Sequence, residues 1–121
     1  MINAAEGAVI AAREAADSKA RDVVVLDLRN FSFVTDFFII GTGDSEIQVQ
    51  YIARQVKEKL ESAGLEYLRM EGYNEAQWVL LDFGDVVIHI FHKDVRSFYN
   101  LERLWGDAPL LDYDTPASAG V

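Results

Sequence analysis

A glycine turn between two apolar arms restricts the fold of this chain more than any other feature. The arms are residues 77–82 and 85–91, and Gly84 between them can adopt the positive φ that a tight turn requires. Because alternate residues of a strand point to opposite faces, Trp78 and Leu80 share one face of this hairpin. Both faces are nevertheless apolar. Either helices cover both of them, or the face with Trp78 is left for a partner.

Helices are predicted where apolar residues recur every three or four positions. From Ile2 to Lys19 most of these residues are alanines, which bury little area, so we expect a weakly anchored first helix. A second helix is predicted to begin after Ser45, which has capping-box spacing to Gln48, and to end at Gly64. Helical spacing returns over 94–105 and predicts a third helix.

Three further segments predict strands. Residues 23–28 and 36–41 are almost continuously apolar, as in strands covered on both faces, so we expect both to be central in a sheet. Residues 65–71 alternate enough to form another strand. The order of elements predicts an α/β (α+β) fold, a mixed sheet of about five strands with helices packed on it. The unit over 36–71 is expected to be a right-handed parallel crossover.

The length and the two ends of the chain predict one domain over 1–106 and a tail over 107–121. A globule of 121 residues buries roughly two-thirds of its unfolded surface around one core. The last segment has two prolines, three acids and no Lys or Arg, which predicts a disordered acidic tail. No apolar run reaches the roughly 20 residues that span a bilayer, and the first residues do not resemble a signal peptide. We therefore expect a cytoplasmic protein.

The charge of the chain favours a basic partner. Eleven Lys and Arg residues stand against twenty Asp and Glu, which gives a formal charge of −9. Such a surface repels the phosphate backbone of nucleic acid and attracts basic proteins, including those that coat RNA. Acidity also aids solubility, so charge alone does not identify a partner. Because the chain has no cysteine, disulfides, thiolate metal sites and thiol nucleophiles are excluded.

Two groups of residues resemble fragments of catalytic sites. Residues 41–45, Gly-Thr-Gly-Asp-Ser, precede a helix whose N-terminus could hold an anion, but they lack the third glycine or the lysine of known phosphate loops. The simpler prediction is a tight turn and a helix cap. Asp82 and Asp85 could bind a metal or exchange protons if a third acid, Asp27 or Asp36, converged on them. An isolated acid in such a position more often binds a nearby loop.

The two histidines do not indicate a catalytic site. His89 and His92 need not face the same way at the end of a strand, and no cysteine can complete a zinc site. We expect His89 to be a half-buried or surface-facing residue of the sheet. No serine or lysine stands at a spacing that suggests nucleophilic catalysis.

The hairpin and the segments around it resemble the Iojap family, the ribosomal silencing factors. The matching pattern covers roughly residues 22–105. It comprises residues 78–91, then Arg96, Tyr99, Leu101-Glu102 and Leu104-Trp105, together with residues 36–45 and Glu71-Gly72. Two positions depart from the family's pattern. Phe37 stands where tyrosine is common, and Gln48 where histidine is frequent.

The resemblance implies a fold similar to that of nucleotidyltransferases without their catalytic carboxylates, and hence no enzyme activity and no cofactor. It implies binding to a basic protein of the large ribosomal subunit at the face that joins the small subunit, with little direct contact to nucleic acid. Joining would be blocked sterically, and translation repressed when nutrients are short. The partner-binding residues expected from it are Glu71, Trp78, Leu80, Asp82, Asp85 and His89.

Two alternative functions use the same residues differently. A small nucleotidyltransferase or phosphate-handling enzyme would use residues 41–45 together with Asp82 and Asp85. A homodimer would bury the apolar face of the hairpin against a second copy of the chain.

Overall fold

The computed structural model describes residues 2–31, 35–96 and 108–113, and within them it has a five-stranded mixed sheet with two helices packed on the same face. The helices are α1 (Ala4–Asp17) and α2 (Glu46–Ser62). The strands are β1 (Arg21–Asp27), β2 (Phe37–Gly43), β3 (Arg69–Glu71), β4 (Trp78–Asp82) and β5 (Val86–His92), in the spatial order β1-β2-β5-β4-β3. The predicted α+β fold with a mixed sheet is confirmed.

The hairpin is the best-predicted part of the sheet. Strands β4 and β5 pair antiparallel, with Trp78 opposite Phe91 and Asp82 opposite Val87. Gly84 between them has φ +82°, the positive value that the turn was expected to need. β5 also pairs with β2 in parallel, which places the hairpin in the centre of the sheet.

Helix α2 is likewise close to its prediction, although its cap differs in one contact. The Ser45 side chain accepts a hydrogen bond from the backbone N–H of Gln48, as predicted for an N-cap. The Gln48 amide, however, donates to the carbonyl oxygen of Ser18 and so ties α2 to the end of α1. A complete capping box occurs instead at α1, between Asn3 and Glu6.

Two strand predictions need correction. β1 is an edge strand of the five-stranded sheet rather than a central one. It is apolar on both sides because Val25 packs in the helix-side core while Leu26 and Leu28 pack in a second cluster. The strand predicted over 65–71 is reduced to β3, because the backbone N–H of Leu65 bonds to the carbonyl oxygen of Leu60 and closes α2. β3 runs parallel to β2, but β5 and β4 lie between them.

The segment after the predicted domain boundary is in part a structural element. Residues 108–113 run along the outer edge of β1, where Asp27 N–H donates to the Pro109 carbonyl and Leu111 N–H donates to the Val25 carbonyl. Six residues of the segment predicted to be a tail therefore pair with the sheet. Residues 114–121 and most of the predicted third helix lie outside the described residues.

The main core lies between the sheet and the two helices. Four alanines and one glycine of α1 are buried, which lets this helix approach the sheet closely. α2 contributes larger residues, Val49, Ile52, Val56 and Leu60, all fully buried. Among the helices that the structure describes, none is long and apolar enough to cross a membrane.

Candidate partner-docking face

The sheet face opposite α1 and α2, here called the second face, carries most of the residues expected to bind a partner. Along β4 the buried residues Val79 and Leu81 belong to the helix-side core, so Trp78, Leu80 and Asp82 point to the second face. All three are half-buried. The sequence therefore predicted correctly which hairpin residues share a face, and the structure shows that the Trp78 side is opposite the helices.

Three aromatic rings and one imidazole form the centre of the second face. The Trp78 ring stacks on Phe91, with centroids 5.1 Å apart, and its Nε1–H donates to Nδ1 of His89 at 3.0 Å. Phe38 of β2 meets the His89 ring edge-on, with centroids 4.5 Å apart. These contacts fix the Trp78 indole on one edge and one face.

His89 is more deeply buried than its sequence position suggested. Only 3% of its surface is exposed, so it is neither half-buried nor surface-facing. The reason is its position on a central strand, where Leu80 of β4 and Ile40 of β2 lie beside it. Burial lowers the pKa of His89 to about 4, so the imidazole is neutral at physiological pH. In this arrangement it contacts Trp78 rather than presenting itself to a partner.

The acids of β3 and of the adjoining end of β4 are organised around one arginine. Arg69 of β3 lies between two carboxylates, with one terminal guanidinium nitrogen 2.9 Å from Glu71 Oε2 and Nε 3.2 Å from Asp82 Oδ2. Arg69 and Glu71 are well exposed, whereas Asp82 is largely covered. Asp82 also accepts a hydrogen bond from the Gly84 backbone N–H at 2.8 Å and so stabilises the turn. The trio has a formal charge of −1.

Asp85 lies at the other end of this turn and is exposed. Its backbone carbonyl accepts hydrogen bonds from the N–H groups of Asp36 and Phe37, which joins the turn to the start of β2. The backbone of Asp85 is thus fixed while its carboxylate faces solvent. Such a group can act on an approaching basic surface through its charge.

The glycine-containing segment at residues 41–45 is a strand end and a helix cap. Gly43 packs so closely on Val49 that a side chain would collide with it, which accounts for glycine there without any ligand. Asp44 forms an ion pair with Arg21, and Ser45 caps α2. The predicted helix cap is confirmed.

Of the two acids considered as a third carboxylate, Asp27 is bound by a neighbouring arginine. Asp27 receives two hydrogen bonds from the guanidinium of Arg29, and the hydrogen bond from Arg29 lowers the pKa of the Asp27 carboxyl below its usual value. Within residues 2–31, 35–96 and 108–113, no three histidine or acidic side chains form a group that could hold a metal ion.

Sequence reasoning missed two residues of this face, Arg69 and Phe38. Arg69 lies in the segment that was expected to be a longer strand, and the register that sets it opposite Asp82 is a property of the folded sheet. Phe38 belongs to the apolar run over residues 36–41. Strict alternation from the buried Phe37 and Ile39 would have assigned it to the second face.

The two departures from the expected pattern are accommodated in the structure. Gln48 binds the Ser18 carbonyl, and the Arg29 guanidinium lies 5.0 Å from the centroid of the Phe37 ring. Neither residue belongs to the second face.

Comparison with known proteins finds similarity to ribosomal silencing factors and Iojap proteins. The family model "Ribosomal silencing factor during starvation" matches residues 2–120. A ribosomal silencing factor of Bacillus subtilis is 53% identical over 105 residues, which are 87% of this chain and 89% of that protein. The chloroplastic Iojap protein of maize is 40% identical over 110 residues, 89% of this chain and 48% of that longer protein.

A solved structure has the same fold. A crystal structure of a protein from Chromobacterium violaceum superposes with a TM-score of 0.84 at 32% identity, covering 99% of this chain and 100% of that one.

Proposed function

The chain belongs to the ribosomal silencing factor family, and on that premise we propose that it binds the large ribosomal subunit through its second face and prevents the small subunit from joining. The partner on the large subunit is a basic ribosomal protein at the joining face. Binding represses translation when nutrients are limiting, and it takes place in the cytoplasm. No catalytic step is part of this function.

The observation that carries the proposal is the half-buried Trp78 on a sheet face opposite both described helices. Large aromatic side chains at the centre of a patch are the usual anchors of protein interfaces. Leu80 lies next to it on the same strand and extends the apolar area. Phe38 and Val24 continue that area across β2 and β1, and both are also half-buried.

The charge around this area favours a basic protein over RNA. Glu71 and Asp85 are exposed, and the trio of Arg69, Glu71 and Asp82 has an excess negative charge. The formal charge of the whole chain is −9, which disfavours direct contact with ribosomal RNA. These acids would steer the association and set the register on lysines and arginines of the partner.

Each predicted residue then has a distinct role. Trp78 is the apolar anchor, and Leu80 adds contact area beside it. Glu71, Asp82 and Asp85 are the steering acids. His89 acts inside the protein, since it is buried against the anchor. A specific interface buries about 1,200–2,000 Å² in total, so further residues contribute area.

Sedimentation with separated subunits tests this proposal. The protein is expected to travel with purified large subunits and not with small ones, and Trp78→Ala is expected to abolish co-sedimentation. Tyr51→Ala is the matched control, because Tyr51 is a 40% exposed aromatic residue on α2, away from the second face. Equal loss in both variants, or binding of the wild type to both subunits, would contradict the proposal.

A further inference from the structure

His89 is a polar residue in an apolar setting that the proposed contacts do not use directly. It lies on central strand β5, between Leu80 and Ile40 on the neighbouring strands, and is 3% exposed. An aliphatic residue would fill such a position without placing an unpaired polar atom of its own in the interior. A histidine there needs a reason other than core packing.

The hydrogen bond to Trp78 determines the protonation of the ring. Because Nδ1 accepts the Trp78 Nε1–H at 3.0 Å, the proton of the neutral imidazole is on Nε2. Nε2 is buried and has no hydrogen-bond partner in the part of the chain that the structure describes. A buried donor without an acceptor lowers the stability of the folded state. Nε2 of His89 therefore lowers the stability of the fold, whereas Nδ1 binds the Trp78 indole.

Nδ1 of His89 controls the orientation of the Trp78 indole. Phe91 stacks on both rings, with centroids 5.1 Å from Trp78 and 6.4 Å from His89, and so defines the plane in which the indole lies. Stacking on Phe91 does not by itself set the direction of the indole N–H, whereas the bond to Nδ1 does. An anchor held in its binding orientation before association loses less entropy when it docks.

We propose that His89 is a positioning residue that fixes the Trp78 indole for docking, and that it does so at the expense of the stability of the free protein. This inference rests on the proposed function, because it presumes that Trp78 is the anchor. It assigns His89 no contact with the partner.

Two substitutions separate positioning from packing. His89→Leu removes both the acceptor and the unpaired donor, whereas His89→Asn keeps an acceptor oxygen near the place of Nδ1. We expect His89→Leu to weaken binding to purified large subunits about tenfold, equivalent to about 1.4 kcal/mol. Its midpoint of thermal unfolding should equal or exceed that of the wild type. His89→Asn should bind within about threefold of the wild type.

Ile88→Val is the matched control, because Ile88 is its fully buried neighbour on the helix side of β5. It should lower the unfolding midpoint and leave affinity unchanged. In ¹H–¹⁵N NMR spectra of the free protein, the Trp78 indole N–H resonance should shift in His89→Leu and stay near its original position in Ile88→Val.

The outcomes distinguish this inference from the proposed function. Wild-type affinity in a folded His89→Leu variant would overturn the positioning role, and so would loss of binding in His89→Asn equal to that in His89→Leu. A His89→Leu variant that unfolds more readily than the wild type would overturn the claimed cost to stability. Failure of the wild type itself to bind large subunits would reject the proposed function, whereas an unshifted indole resonance in His89→Leu would reject the hydrogen bond on which the inference depends.

Discussion

Gly72 lies directly against the backbone carbonyl of Trp78, so that a methyl group on Gly72 would overlap the carbonyl oxygen. Gly72 also has φ +79°, a conformation that residues with a side chain adopt at a cost. The loop that precedes β4 therefore packs tightly against the backbone of Trp78, the residue that we propose as the anchor.

This contact predicts a large effect of Gly72→Ala. We expect a loss of about 2 kcal/mol or more in the free energy of unfolding, because strain and overlap add, against about 1 kcal/mol for Gly64→Ala. Gly64 is the control, since its φ is +99° but nothing lies within 4 Å of the added carbon. Urea denaturation of both variants measures the difference. Equal losses would mean that the Trp78 carbonyl can move away without cost.

Removing a positive charge should strengthen partner binding. Arg69 forms ion pairs with both Glu71 and Asp82, and its positive charge would repel a basic partner. Arg69→Gln is expected to increase affinity for the large subunit by roughly 2- to 5-fold at low salt. This change corresponds to about 1 kcal/mol or less, which is the usual size of interactions between exposed charges. Titration of the large subunit with each variant at several salt concentrations measures the change in affinity. Lys57→Gln makes the same charge change on α2 and should have little effect, and weaker binding by Arg69→Gln would contradict the steering role of the two acids.

Neutralising Asp85 should act mainly on the rate of association. Its carboxylate is exposed, so Asp85→Asn is expected to lower the association rate constant several-fold and to reduce its salt dependence, with the dissociation rate almost unchanged. Glu58→Gln removes one charge from an exposed position on α2 and provides the comparison. A change confined to the dissociation rate would instead indicate that Asp85 makes a close contact in the complex.

Burial of neutral His89 should make stability depend on pH in a defined window. The pKa of this group is about 4 in the folded protein and 6.5 when unfolded, so below pH 6.5 the unfolded chain takes up a proton that the folded protein does not. The stability of the fold with a neutral imidazole is fully present above pH 6.5 and decreases as the pH falls to about 4. The loss amounts to about 3 kcal/mol.

His89→Leu isolates that contribution. The rings and aliphatic residues that surround His89 on β2, β4 and β5 are Phe38, Ile40, Trp78, Leu80 and Phe91, none of which titrates. The unfolding free energy of the wild type relative to His89→Leu should therefore decrease steadily between pH 6.5 and 4. A difference that stays constant across this range would show that the imidazole is protonated in the folded state.

The elements that could be predicted from the sequence are those fixed by local patterns. α2 has a cap, an apolar stripe and a terminal glycine, and the hairpin has two alternating arms around Gly84, so short-range rules suffice for both. The face on which Trp78 lies follows from the same alternation. Which face the helices cover does not, because both faces of the hairpin are apolar.

The errors concern contacts between distant segments. β1 is an edge strand of the five-stranded sheet, although its two faces pack in two clusters and residues 109–111 pair with its outer edge. The sequence allowed Asp82 as a metal ligand or proton-transfer group, whereas Arg69, opposite it on β3, binds its carboxylate. The burial of His89 likewise depends on β2 and β4 lying on either side of it. Strand order sets all three features, and no short motif encodes it.

The most direct test of the account is the joining of purified ribosomal subunits in the presence of the wild type, Trp78→Ala or Tyr51→Ala, followed by gradient sedimentation. The wild type and Tyr51→Ala should reduce the peak of joined ribosomes, with the protein found on the large subunit. Folded Trp78→Ala should give the same peak of joined ribosomes as a reaction to which no silencing protein is added. An undiminished joined peak with the wild type, or full inhibition by Trp78→Ala, would contradict the claim that this chain blocks joining through its second face.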